Sequence, residues 1–315
     1  MLGVTPMGEL RGRDFLTVND FTGGELLEIL ELALKLKKES KKGLEHHLLR
    51  GKTLGMIFQK ASTRTRVSFE VAMWQLGGYA LFLSAQDLQI GRGEPVKDTA
   101  RALSRYLDGI MIRTFDHGEV EELAAFADIP IINGLTDLLH PCQAMADMMT
   151  ILEKKGRLKG IKLAYTGDGN NVAHSLLLAA SKLVMDVAVA TPKDYEPKTE
   201  ILSAAIFNAS HNGSEVIVTT DVKRAVAGAD VVYTDVWASM GQEAEHKSRV
   251  SAFKSYQLNS ELLAAAAPGA IVMHCLPAHR GEEITEEVIE GPQSVVFDQA
   301  ENRMHVQKAI LAKLL

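Results

Sequence analysis

The sequence predicts an α/β protein of two domains, each a parallel sheet covered by helices on both faces, with a cleft between the domains. Two observations carry this. Short apolar runs alternate with amphipathic helical stretches almost to the end of the chain, which is the pattern of parallel sheets. The chain is also 315 residues long, and domains usually take roughly 100–200 residues. With 46% apolar and 23% charged residues, both halves can bury a core, which excludes a disordered or low-complexity chain.

In order, Thr22 can cap a first helix whose stripe is Leu26, Leu27, Leu30, Ala33 and Leu34. Strand-like runs follow at residues 53–58, 79–83, 109–113 and 129–133. The second run is preceded by a helix with Val67, Val71 and Trp74 on one side. Another helix opens near His140, where Pro141 suits the first turn. After Lys154-Lys155-Gly156-Arg157 a second series begins, with strands expected at 161–166, 186–190, 215–219, 230–235, 270–274 and 294–297. Helical patterns at 172–184 and 197–209 lie between them. A last helix, roughly 299–315, carries Glu301, Asn302 and Arg303.

Several function classes drop out early. Lys plus Arg is 34 against 40 Asp plus Glu, a net charge of −6, so the broad basic surface of a nucleic-acid binder is not expected. No apolar run approaches the roughly 18 residues of a membrane span; the longest, residues 262–276, is broken by Pro268 and Gly269. The N-terminus shows no basic segment leading into an apolar one. Two cysteines, Cys142 and Cys275, are too few for a disulfide framework. A cytoplasmic protein that binds neither nucleic acid nor membrane is the expectation.

Ligand sites in such sheets lie at the carboxyl ends of strands, and five segments stand there. Ser62-Thr63-Arg64-Thr65-Arg66 joins a strand to a helix. Helix N-termini offer unpaired N–H groups and a positive dipole end, and arginine adds a bidentate clamp, so the segment suits a phosphate. The plainer reading is a helix cap. Arg113 ends another strand of the same half. His140-Pro141-Cys142-Gln143 places an imidazole, a thiol and a carboxamide in one turn, where His140 can donate to an oxyanion and Gln143 can hold an amide; a capping His beside a buried Cys reads equally well.

The third segment, His274-Cys275-Leu276-Pro277-Ala278-His279-Arg280-Gly281, follows an apolar strand. His140, Cys142, His274, Cys275 and His279 are zinc-ligand types, although no tight C-x-x-C pair is present. A nucleophilic Cys275 lacks a surrounding nucleophile elbow. The glycine loop Thr166-Gly167-Asp168-Gly169-Asn170-Asn171 invites a dinucleotide reading, but the third glycine position is Val172 and the next strand ends Ala190-Thr191 without an acid for a ribose. The loop delivers Asn171 to a polar ligand instead. The fifth segment is Asp235-Val236-Trp237-Ala238-Ser239-Met240-Gly241, where a strand-end carboxylate can pair with an ammonium group or simply cap a turn.

Taken together, in order and at their spacing from 62 to 303, these segments resemble the aspartate/ornithine carbamoyltransferase family, most closely its ornithine-using members. The resemblance covers essentially the whole chain. It implies a carbamoyl-phosphate domain at residues 1–148, an ornithine domain at 149–298, a final helix at 299–315 crossing back onto the first, and an active site in the interdomain cleft. It implies trimers, or assemblies of trimers, with sites at subunit interfaces.

Carried over residue by residue, Ser62, Thr63, Arg64 and Thr65 hold the phosphate, and Gln89 reaches a neighbouring subunit's phosphate site. Arg113 bridges phosphate and carbonyl oxygen, His140 polarises that carbonyl, and Gln143 holds the carbamoyl NH₂. Asn171, Asp235, Ser239 and Met240 hold the amino-acid end of L-ornithine. Cys275 and the Leu276 backbone face the reacting carbon and Arg303 completes the site. The implied reaction uses carbamoyl phosphate and L-ornithine and needs no metal and no cofactor. An aspartate acceptor would call for cations where Asp235 stands, and putrescine would leave the α-carboxylate subsite unpaired. A nicotinamide oxidoreductase and a non-catalytic binding homologue are the rival classes.

Overall fold

The computed structural model describes residues 10–238 and 245–315, with backbone only at 91 and 92. Ser239 and Met240 lie outside the described residues, as does most of the stretch read for a targeting signal. The chain forms two compact units, Met1–Met145 with Arg303–Leu315, and Ala146–Asn302.

The first unit is built on strands β1 (Thr53–Phe58), β2 (Tyr79–Ser84), β3 (Gly109–Arg113) and β4 (Ile131–Leu135), all parallel in the order β2-β1-β3-β4. Its helices are α1 (Gly23–Ser40), α2 (Thr63–Gln75), α3 (Val96–Leu103), α4 (His117–Phe126) and the start of α5 (Pro141–Lys155). β1 and β3 are buried almost throughout, because their Leu, Ile and Met side chains are covered on both faces, whereas the edge strand β2 is partly exposed. Ile57, Ile110, Ile112, Val120, Leu123 and Ile131 form its core. Thr22 caps α1 in a reciprocal capping box with Glu25.

Three expectations shift here. In α1 the buried stripe is Leu26, Ile29, Leu30, Ala33 and Leu36, and Leu27 is exposed. In α2 the inward face is Thr65, Phe69, Ala72 and Met73; Val67 and Trp74 stand out at 52% and 77% exposure. The helix carries two apolar stripes, and the one that continues into buried Leu76 faces the core. β4 starts two residues late because Pro130 has no N–H for the ladder; its carbonyl accepts from Ile110 instead.

The second unit holds β5 (Lys162–Thr166), β6 (Asp186–Ala190), β7 (Val216–Thr219), β8 (Val231–Thr234) and β9 (Ile271–His274), again all parallel, in the order β7-β6-β5-β8-β9. Around them lie α6 (Asn171–Lys182), α7 (Thr199–Ser210), α8 (Val222–Val226), α9 (His246–Phe253), α10 (Ser260–Leu263), α11 (Glu286–Ile289) and α12 (Val296–Leu314), whose last turns belong to the first unit. The strand expected at 294–297 does not form. Ser294 makes a single bridge to Val272, and α12 begins at Val296 with Phe297 turned to solvent. A four-residue apolar run cannot by itself distinguish a strand from a helix start.

Both sheets reverse strand order once, between β1 and β3 and between β5 and β8. A doubly wound sheet opens a crevice at the carboxyl ends of the strands beside such a reversal. Among the described residues no helix is long and apolar enough to cross a membrane.

Candidate functional site

In the first unit the reversal point brings the hydroxyl-rich turn after β1 beside the end of β3. Ser62 caps α2, its hydroxyl accepting from the Thr65 N–H at 3.2 Å. That cap turns Thr65 inward, where it is fully buried. Thr65 Oγ1 accepts from Arg303 Nη2 at 2.8 Å and from Arg113 Nη1 at 3.5 Å. Both arginines are buried. Two guanidiniums converging on one oxygen at a helix N-terminus make a strongly positive spot that matches an oxyanion.

His140 and Gln143, at the start of α5, are buried too. Burial, then the charges of Arg303 and Arg113, hold the His140 pKa well below the usual imidazole value. The ring is therefore neutral near pH 7 and offers one N–H donor rather than a third positive charge. Cys142 is pushed up to about 12 by burial and donates to the Asn133 carbonyl at 3.5 Å, so it is an inert core thiol. Gln89 is exposed on a short 3-10 turn, Gln89–Arg92.

In the second unit Asp235 follows β8 and is buried. Its Oδ2 accepts from Asn170 Nδ2 at 2.8 Å and its Oδ1 from the Cys275 thiol at 3.0 Å. Cys275 thus sits as a hydrogen-bond donor to a carboxylate. Asn170 also caps α6, accepting from the N–H groups of Val172 and Ala173, while Asn171 is the first helical residue. Gly169 lets the loop pass the 195–197 backbone, since a Cβ there would lie 2.4 Å from Pro197 N.

The turn after β9 is fixed from behind. The Leu276 N–H donates to His274 Nδ1 at 2.9 Å, which leaves the ring proton on Nε2 to donate to Glu283 at 3.1 Å. Leu276 itself holds φ at 57°, a conformation a branched residue adopts only where its surroundings impose it. Gln299 receives the His274 N–H and donates to Asp147 and to Tyr233. Tyr165 and Tyr233 stack nearby at 5.9 Å, and burial with neighbouring acids raises both phenols well above their usual range.

Sequence reasoning did not reach Asn170, Gln299, Glu283 or the buried pair Asp168–Arg249. Arg249 Nη1 donates to Asp168 at 2.9 Å and to the Trp237 carbonyl at 2.9 Å, which braces the glycine loop against the segment after Asp235. Burial nevertheless raises Asp168 to about 6. The only available signal was the doubled asparagine beside a glycine. Of the zinc-ligand types, His274 and Cys275 group with Asp235, and His279 groups with Glu282 and Glu283; both His274 nitrogens are engaged.

Fold and site together define a two-domain, doubly wound α/β protein in which each sheet carries a polar ligand site at its carboxyl edge, one cationic and one acidic. Residues 13–153 match the model of the aspartate/ornithine carbamoyltransferase carbamoyl-P binding domain, and residues 159–314 that of the Asp/Orn binding domain. An ornithine carbamoyltransferase of Carboxydothermus hydrogenoformans is 61% identical over 305 residues, covering 97% of this chain and 98% of the relative. The anabolic enzyme of Pyrococcus furiosus is 58% identical over 306 residues, 97% of each chain. Among solved structures, the ornithine carbamoyltransferase from Pyrococcus furiosus superposes with a TM-score of 0.94 at 58% identity, covering 97% of both chains. That from Giardia lamblia gives 0.87 at 36% identity, covering 96% of this chain and 97% of its own. The chain belongs to the aspartate/ornithine carbamoyltransferase family.

Proposed function

We propose that this chain is an ornithine carbamoyltransferase, a transferase that moves the carbamoyl group of carbamoyl phosphate to the δ-amine of L-ornithine, giving L-citrulline and phosphate. The observation that carries the reading is the meeting of Arg113 and Arg303 at Thr65, with neutral His140 close to both. In this reading residues 1–148 with 299–315 take carbamoyl phosphate and residues 149–298 take ornithine.

Ser62, Thr63, Arg64 and Thr65 hold the phosphate at the α2 N-terminus. Arg113, His140 and Thr65 donate to the carbonyl oxygen as the amine attacks and negative charge builds there; one such donor is typically worth about 3–4 kcal/mol. A neutral imidazole does this without repelling its two cationic neighbours. Gln143 holds the carbamoyl NH₂, Arg303 and the Leu276 backbone complete the reacting centre, and Cys275 fixes Asp235. Asp235 takes the α-ammonium of ornithine with Asn171, Ser239 and Met240.

The nucleophile must be a neutral amine, yet an alkyl amine of pKa about 10 is only about one part in a thousand neutral at pH 7. Nearby guanidiniums and loss of water favour the neutral form. The departing phosphate oxygen then accepts the amine proton, so no separate base is required. Support for an arginine-biosynthetic role comes from the relative named anabolic. The exposed apolar side chains Val67, Trp74, Tyr79 and Leu81 of the first unit support a homotrimer, with Gln89 serving a neighbouring subunit. The reading places the enzyme in the cytoplasm.

The test is to incubate purified protein with carbamoyl phosphate and, separately, L-ornithine, putrescine and L-aspartate, measuring carbamoylated product and phosphate. Citrulline formed far faster than the other products is the expected result. Preference for another amine would overturn the role given to Asp235. No turnover by folded protein with any acceptor would make it a binding homologue.

A further inference from the structure

Beyond β9 the chain forms a turn at residues 279–284 that the transfer chemistry does not use. It is rigidly held. The Glu282 N–H donates to the His279 carbonyl at 2.9 Å and the Gly281 N–H to the Ile284 carbonyl at 2.8 Å. Gln257 Nε2 donates to the carbonyls of Gly281 and Glu282 at 2.9 and 2.8 Å. Three side chains converge there. His279 Nδ1 lies 3.9 Å from an oxygen of Glu282 and 3.9 Å from Oε2 of Glu283, and the ligand atoms of all three fall within 4.8 Å of one another.

Glu283 is fully buried. Its Oε1 accepts from His274 Nε2 at 3.1 Å and from the His279 N–H at 2.6 Å. Its Oε2 is aimed at the cluster and has no hydrogen-bond partner among the described residues. A buried carboxylate oxygen left without a donor is costly, and a bound cation relieves that cost. A second imidazole borders the cluster: His246, opening α9, puts Nε2 3.1 Å from Glu282 Oε2.

We propose that His246, His279, Glu282 and Glu283 form a binding site for a divalent transition metal, with zinc the best match. Two imidazoles and two carboxylates are ligands zinc takes, at bond lengths of about 2.0–2.2 Å, which in a tetrahedron separates ligand atoms by about 3.4 Å. The distances of 3.1 and 3.9 Å bracket that spacing. Imidazoles argue against calcium and magnesium, which take oxygen. His246 and His279 are each nearly half exposed, which leaves the ion a way in. The site is accessory: it joins α9 to the turn behind Cys275 and Leu276 through Glu283 and His274, and no step of carbamoyl transfer passes through it.

The experiment is a titration of chelator-stripped, untagged protein with cobalt(II), followed by visible absorption, with zinc as competitor. One equivalent should bind with d–d bands and no thiolate-to-cobalt charge transfer. Loss of a supporting group alone weakens metal sites about 10–100-fold, so His279→Ala should weaken binding at least ~100-fold and His246→Ala at least ~10-fold. Both residues are half exposed, and circular dichroism of the variants will verify folding. The proposal fails if no saturable binding occurs or if affinity survives His279→Ala. It also fails if a charge-transfer band appears and vanishes in Cys275→Ser, which would place the ion on Asp235, His274 and Cys275 instead.

Discussion

The two units share an architecture and carry opposite charge at the same position in it. At the reversal of the first sheet, two buried guanidiniums meet a hydroxyl beside an imidazole kept neutral. At the reversal of the second, a buried carboxylate is held by a carboxamide and a thiol, with two stacked phenols behind it. The crevice is a property of the winding, whereas the sign of the ligand is set by three or four side chains at the strand ends. In the function proposed, one winding serves an anion in one half and an ammonium in the other.

The sharpest way to break this contrast is to remove a cation from the first site. Arg113→Ala should lower kcat about 10²–10³-fold with little change in KM for ornithine, by analogy with loss of one oxyanion donor. Steady-state kinetics with each substrate varied will show it, and an equal rise in ornithine KM would mean that the halves are not functionally separate. Neutralising the acidic site comes next. Asp235→Asn should reduce kcat/KM for ornithine by at least ~30-fold, because truncating one partner of a buried charge pair costs about 2–5 kcal/mol. Its KM for carbamoyl phosphate should hold.

A pH profile sharpens the contrast further. If the neutral amine is the nucleophile, log kcat/KM for ornithine should rise with slope near one between pH 6 and 8. His140, held neutral by burial and two cations, should add no limb of its own there. A profile that is flat while chemistry limits the rate would refute the amine assignment.

The smallest effects concern the brace behind the acidic site. Burial raises Asp168 to about 6 from 3.8, so across that window the folded state holds a proton the unfolded chain has lost. The group's contribution to stability therefore falls as pH rises from about 4 to 6 and is constant above. Asp168→Asn should remove that slope, readable as the pH dependence of Tm. Gly169→Ala should destabilise by about 1–3 kcal/mol, because the added methyl meets the backbone of 195–197 and not a movable side chain. Chemical denaturation measures that.

Legibility followed distance along the chain. The cradle after β1 was readable because strand, hydroxyls, arginine and helix cap are consecutive residues, and each has a local physical reason. The doubled asparagine was half readable. Composition marked the pair, but only the cap geometry shows that Asn170 reaches Asp235. The inward face of α2 was misread, since two apolar stripes share one helix and only Leu76 beyond its end breaks the tie. Arg249 reaches Asp168 across 81 positions and Gln299 reaches Asp147 across 152; no local pattern encodes such partners. Arg303 entered only through resemblance to a family, because one arginine in a helix is ordinary.

Arg303 also sets a schedule. It is the first residue of the segment that rejoins the first unit, and it lies 238 positions after the threonine it grips. A ribosome that has finished the first 145 residues has made a sheet and most of its helices, but an anion site with one guanidinium absent. After Thr65, another 238 residues must be translated before that hydroxyl meets its second arginine. A chain stopped before residue 303 therefore carries Thr65 and Arg113 without Arg303.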